Sequence, residues 1–122
     1  MKDLSKGHLK LEVWQKSVDL VSVIYKITLD FPKHESFGIS SQLRRAGVSV
    51  PANIAEGAAR TGNREYIRFL SISLGSLSEL ETLIIIAERC GYITKEQSSE
   101  IDFKLGEIRR MLIGLTKFLQ KT

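Results

Sequence analysis

The sequence predicts an all-α chain folded as an up-down-up-down antiparallel four-helix bundle. Three observations carry this reading. Apolar residues recur at alternating steps of three and four in four separate stretches, only two prolines interrupt the chain, and the connections are short enough to favour antiparallel neighbours. With 43% hydrophobic residues in 122, the chain can bury a core without a metal or disulfide staple. The bundle is expected over 11–122, as one domain, with residues 1–10 as a flexible tail.

The first helix is expected between Leu11 and Phe31. Val13, Leu20, Ile24, Ile27 and Phe31 form one stripe and Trp14, Val18, Val21, Tyr25 and Thr28 an adjacent one, so the apolar arc covers about half the circumference and predicts burial on more than one side. Phe31-Pro32 ends it, because the residue before proline avoids the α region. The second helix is expected from Ser36 to Ala59, with Ile39, Leu43, Ala46, Val50, Asn53, Ile54 and Gly57 on one face. Pro51 lies inside it, where the missing donor and the clash with the Gly47 carbonyl predict a kink rather than a break, since the apolar phase continues.

The third helix is expected to start at an Asn63 cap and to stop at Gly91, with Tyr66, Leu70, Ser73, Leu77, Leu80, Ile84 and Ala87 as its seam. Thr94 and Gln97 form a capping-box pair that opens the fourth helix. Its seam is Ile101, Leu105, Ile108, Leu112, Leu115 and Leu119, an unbroken 4-3-4-3-4 spacing.

Residues that could carry catalysis do not assemble into a constellation. No Glu-x-x-His occurs, and the only histidines, His8 and His34, fall in the tail and in the first connection, where solvated side chains are expected; no metal site follows. Gly57 and Gly62 have the spacing that opens a phosphate loop, but Asn63-Arg64 replaces its Lys-Ser/Thr pair and no strand precedes it. Ser76 and Ser78 lack a histidine base. Glu79 and Glu81 point to different sides of a helix, and Glu56 stands four residues before Arg60 as an intrahelical pair. The lone Cys90 reads as a small buried residue in a reducing setting. Neither an apolar leader nor 18 consecutive apolar residues is present, so a cytoplasmic protein with no membrane span is expected, with no cofactor and no enzymatic activity.

Charge placement is the remaining clue. Net charge is +4, and pI is about 9.3. An up-down bundle brings the tail lysines (Lys2, Lys6, Lys10), Arg60, Arg64, Arg68, Lys117 and Lys121 to one end, whereas Glu88, Glu96, Glu100 and Asp102 make the other end acidic. Arg60, Arg64, Arg68, Lys117 and Lys121, with Arg44, Arg45, Arg109 and Arg110 as additions, are the candidates for contacts with RNA or DNA phosphates. No exposed aromatics are expected among these cations, which disfavours base stacking. Ile72, Leu83, Ile86 and Ile113 fall away from the main seams and are the candidate surface for a homo-oligomer.

The stretch Gln42-Leu-Arg-Arg-Ala-Gly-Val-Ser-Val-Pro-Ala-Asn-Ile-Ala-Glu-Gly57 resembles the four-helix-bundle family of 23S ribosomal RNA intervening-sequence proteins. Leu11-Glu-Val-Trp14, Phe31-Pro32, the run from Arg68 to Thr82 and Gly91-Tyr-Ile93 extend the resemblance over nearly the whole chain. The segment Pro51–Gly57 is its most specific part. The resemblance implies a ring-like homopentamer without established enzymatic activity. It also implies kinship with the accessory protein of diversity-generating retroelements, in which a basic surface contacts nucleic acid and a reverse transcriptase. The expected function is therefore phosphate-directed nucleic-acid association, with a protein-interaction adaptor that docks a larger enzyme as the alternative.

Overall fold

The four apolar stretches form four helices in the computed structural model, which describes residues 7–8 and 11–121. They are α1 (Glu12–Thr28), α2 (Ile39–Ala59), α3 (Asn63–Arg89) and α4 (Lys95–Gln120), with one 3-10 turn at Lys33–Glu35 between α1 and α2. Each helix packs on its sequence neighbours and α4 returns to α1, while the diagonal pairs do not approach among the described residues. Two side-chain bonds mark the ends of this antiparallel ring. Asn63 Nδ2 donates to the Leu119 carbonyl at 3.1 Å, joining the start of α3 to the end of α4, and Tyr92 Oη donates to Glu35 Oε2 at 2.8 Å at the other end.

The seams expected on α2, α3 and α4 line the core. Leu43, Val50, Ile54, Leu70, Leu77, Leu80, Ile101, Leu105, Ile108 and Leu112 are fully enclosed. On α1 the stripe through Val13, Leu20 and Ile24 is buried with Phe31, whereas Val18 and Tyr25 of the other stripe are exposed, so burial on a second side is incomplete within one chain. α3 has the length and mean hydropathy of a bilayer-spanning helix, but Leu70, Leu77, Leu80, Leu83, Ile84 and Ala87 face the other helices. Its apolarity belongs to the core.

α2 and α3 make the most extensive helix pair. Their approach depends on small residues: a Cβ placed on Gly57 would stand 2.9 Å from Phe69 Cβ and 3.1 Å from the Tyr66 carbonyl oxygen. Nearby, Ser73 Oγ donates to the Val50 carbonyl at 2.9 Å, and Ser76 Oγ donates to Ser49 Oγ at 2.8 Å. The first satisfies a buried hydroxyl in an apolar seam, and the second joins the two helices through hydroxyls that also bond Ile72 and Asn53 of their own helices. α2 continues through Pro51 as one helix, so no break occurs there.

Helix ends follow local chemistry, with one correction. Thr94 Oγ1 accepts from the Gln97 amide at 3.1 Å and Gln97 Oε1 accepts from the Thr94 amide at 2.8 Å, completing the capping box. Gly91, at φ +79°, closes α3 in a Schellman turn, with Tyr92 N–H on the Ala87 carbonyl and Gly91 N–H on the Glu88 carbonyl. Asn63, expected to cap α3, is instead its first helical residue. Gly62 takes the cap position at φ +96°, and the Asn63 amide is used on α4.

Three other expectations change. Cys90 is exposed, because it sits where α3 ends in its glycine turn and not on the Leu80–Ala87 seam. His8 is half-buried, its ring edge-on to Trp14 with centroids 5.1 Å apart, while His34 is exposed as expected. The first turn of α2 begins three residues later than expected because Lys33–Glu35 forms its own 3-10 turn. Of the N-terminal tail, only Gly7 and His8 are described; Lys2, Lys6 and Lys10 lie outside the described residues.

Candidate nucleic-acid interface

The Asn63–Leu119 bond brings the start of α3 against the end of α4, and with it the basic residues of both. They are not equivalent there. Arg60 pairs with Glu56 at 3.0 Å, as the four-residue spacing predicts, and its guanidinium lies 5.0 Å from the Phe69 ring centre. Arg68 pairs with Glu65 at 3.2 Å and lies 4.8 Å from the same ring. Both charges are thus partly neutralised and held over Phe69. Arg64, Lys117 and Lys121 are exposed and carry no ion pair among the described residues.

Helical spacing places Arg110, Ile113, Lys117 and Lys121 on one outward face of α4, all exposed. Phe118, between two of these cations in sequence, is 63% exposed. Phe103 and Phe37 are also exposed, so the expectation of no accessible aromatics near the cations is corrected. Phe118 falls outside the Leu112-Leu115-Leu119 seam, and that register already pointed it to solvent. Arg109 is on the other side of α4, bound to Glu81 of α3 at 3.6 Å.

Arg44 and Arg45 stand apart from this end, on the first turns of α2. Arg44 Nε donates to Thr28 Oγ1 at 2.9 Å and its guanidinium covers the Tyr25 ring at 4.8 Å. Thr28 in turn donates to the Ile24 carbonyl at 2.8 Å, so its hydroxyl presents a lone pair to Arg44. Neither arginine carries an ion pair among the described residues. Together with Tyr25, Phe37, Ser41 and Val48 they line a cleft of about 600 Å³ between α1 and α2. Sequence reasoning missed Tyr25 because only the packing of α1 on α2 brings it to the cleft, whereas Ser41 stands three and four residues before Arg44 and Arg45, a helical spacing that could have been read. The nine expected phosphate contacts thus divide among the bundle end, the α2 cleft and the α3–α4 seam.

The expected oligomer surface also divides. Leu83 is 6% exposed and belongs to the core, which corrects its assignment: it stands three residues after Leu80 and four before Ala87, within the buried face of α3. Ile72 and Ile86 are exposed on one flank of α3, four turns apart on the side where Ser76 meets α2. Ile113 is exposed on α4, among the cations Arg110, Lys117 and Lys121 and not with Ile72 and Ile86 of α3.

Glu35 is held below the usual carboxylate range, first by the Tyr92 hydroxyl, then by the Ile39 amide and the nearby His34. The same bond raises Tyr92, and burial raises Tyr66. Among the described residues no three His, Cys, Asp or Glu side chains converge to hold a metal ion.

These features define a small all-helical bundle with a cationic end, an arginine-lined cleft and an apolar flank. The chain belongs to the 23S rRNA-intervening sequence protein family, whose model matches residues 9–114. It is similar to a protein of unknown function from the S23 ribosomal protein family of Bacteroides thetaiotaomicron. That crystal structure is 31% identical, covers 86% of this chain and 98% of its own length, and superposes with a TM-score of 0.77. The comparison with curated proteins finds no match.

Proposed function

We propose that this protein is a non-enzymatic, oligomeric binding protein of the cytoplasm that associates with RNA or DNA through backbone phosphates. The observation that carries the reading is the exposed set Arg64, Lys117 and Lys121, which the Asn63–Leu119 bond gathers at one end of the bundle without ion pairs among the described residues, with exposed Arg110 further along the same face of α4. Unpaired cations on a rigid helical face suit successive phosphates and release counterions on binding. The family description, which refers to an intervening sequence of 23S rRNA, favours RNA. Arg60 and Arg68 contribute less, because binding would compete with Glu56 and Glu65.

Charge reversal of Arg64, Lys117 and Lys121 to Glu tests this reading by fluorescence anisotropy with a labelled oligonucleotide. Binding weakened by at least tenfold supports it. Unchanged binding contradicts it.

A second reading concerns protein contacts. Ile72 and Ile86 leave an exposed apolar flank on α3. Such surface is better covered than solvated. Copies of the same chain are the first occupants to test, the family resemblance suggesting five, and docking onto a larger enzyme is the alternative.

A further inference from the structure

We propose that the cleft between α1 and the start of α2 binds one nucleotide unit of a single-stranded nucleic acid, its phosphate on Arg44, Arg45 and Ser41 and its base on Phe37. This rests on the nucleic-acid reading above and adds to it a second contact site, with a preference for unpaired strands.

Four observations converge on the cleft. Arg44 is already held in place: its Nε is bound to Thr28 Oγ1 at 2.9 Å and its guanidinium carbon stands over the Tyr25 ring, 4.8 Å from the centroid, while its Nη donors make no ion pair among the described residues. A guanidinium ordered before binding loses little freedom when it meets an anion. Arg45 is exposed beside it with no ion pair among the described residues, in contrast to Arg60, Arg68 and Arg109, which are each held by a glutamate. Two adjacent cations and a serine hydroxyl match the several acceptor oxygens of a phosphate better than the two of a carboxylate.

Phe37 supplies the other half. Its side chain is 100% exposed, so the protein makes no use of this ring in its own packing. A flat, apolar ring at the rim of an arginine-lined cleft is the arrangement on which an unstacked base rests, independent of base identity. The cleft is broad and open to solvent, so a nucleotide can reach Phe37 and the arginines together. A base-paired strand would not offer its faces to Phe37.

The test uses the intact protein and a fluorescein-labelled ten-nucleotide oligo(A) at about 50 mM salt, with AMP followed separately by backbone amide shifts in NMR. Phe37→Ala and the double variant Arg44→Ala/Arg45→Ala are each expected to weaken oligo(A) binding by about tenfold. AMP is expected to shift amides between Phe37 and Arg45. Phe37→Ala cannot disturb the core, since the ring is wholly exposed, so its effect separates binding from folding. Thr28→Val is expected to weaken AMP binding while Ser41→Ala has a smaller effect, because Thr28 positions Arg44. If oligo(A) binding is lost only with the reversed charges at Arg64, Lys117 and Lys121, the cleft proposal is overturned while the broader reading stands. If the unaltered protein binds no nucleic acid, both fall. Amide shifts at Phe37–Arg45 with a phosphoserine peptide but not with AMP would also overturn it.

Discussion

Tyr92 donates its phenol hydrogen to Glu35 Oε2 at 2.8 Å, and the other oxygen of that carboxylate, Oε1, accepts from the Ile39 amide at 3.3 Å. One side chain thereby ties the α3–α4 turn to the start of α2 and caps a helix whose own cap residue, Gly38, has no side chain to do so. Phe31 packs on the Tyr92 ring at 5.3 Å and completes the joint. The first turns of α2, and so the position of Arg44, depend on it.

Acid should loosen this joint. Because folding lowers the Glu35 value from 4.5, the folded state binds its proton less readily than the unfolded state. The stabilisation is complete above the unfolded value and is lost as pH falls through the folded one. Thermal melts of the protein and of Glu35→Gln should differ at pH 7, and the gap should narrow as pH falls below the unfolded value of 4.5 and through the lower folded one. A gap that does not narrow with acid would contradict the assignment.

Gly57 should not tolerate a methyl group. A Cβ there meets Phe69 Cβ at 2.9 Å, and the Tyr66 backbone cannot move aside without lifting α3 from α2. Gly57→Ala is expected to destabilise the bundle by about 1–3 kcal/mol in urea unfolding, despite the better helix propensity of alanine. Gly75, with nothing within 4 Å of its Cβ position, is the control, and Gly75→Ala should be neutral or stabilising.

The apolar flank and the core should separate by mutation. Replacing exposed Ile72 and Ile86 with Glu is expected to reduce the mass seen by light scattering toward the 13.7 kDa of one chain while the helical signal is kept. Leu83→Ala should instead cost about 2–5 kcal/mol of folding stability, because Leu83 is in the core. A protein already monomeric at micromolar concentration would remove the self-association reading.

Much of this architecture was legible because helical periodicity is local. The seams through Leu105–Leu119 and Leu70–Ala87, the Thr94–Gln97 box and the Gly91 stop need no knowledge of distant residues. The Asn63 bond to Leu119 spans 56 positions, and no rule of local capping anticipates it. The candidate interface was less legible for the same reason. Charge spacing grouped Arg60, Arg64 and Arg68, but which of them stays available depends on Glu56, Glu65 and Phe69. The glutamates could be read at their three- and four-residue spacings; the Phe69 ring beneath both arginines could not. Likewise Arg44 gains its role only through Thr28 and Tyr25 on another helix.

The most direct measurement for the central claim is the salt dependence of oligonucleotide binding. With Arg64, Arg110, Lys117 and Lys121 as phosphate contacts, log K for a single strand should fall against log salt with a slope of about −2 to −3. Reversing Arg64, Lys117 and Lys121 should flatten that slope by about 2. A salt-independent affinity, or an unchanged slope in the reversed variant, would contradict the claim that this end of the bundle meets nucleic acid.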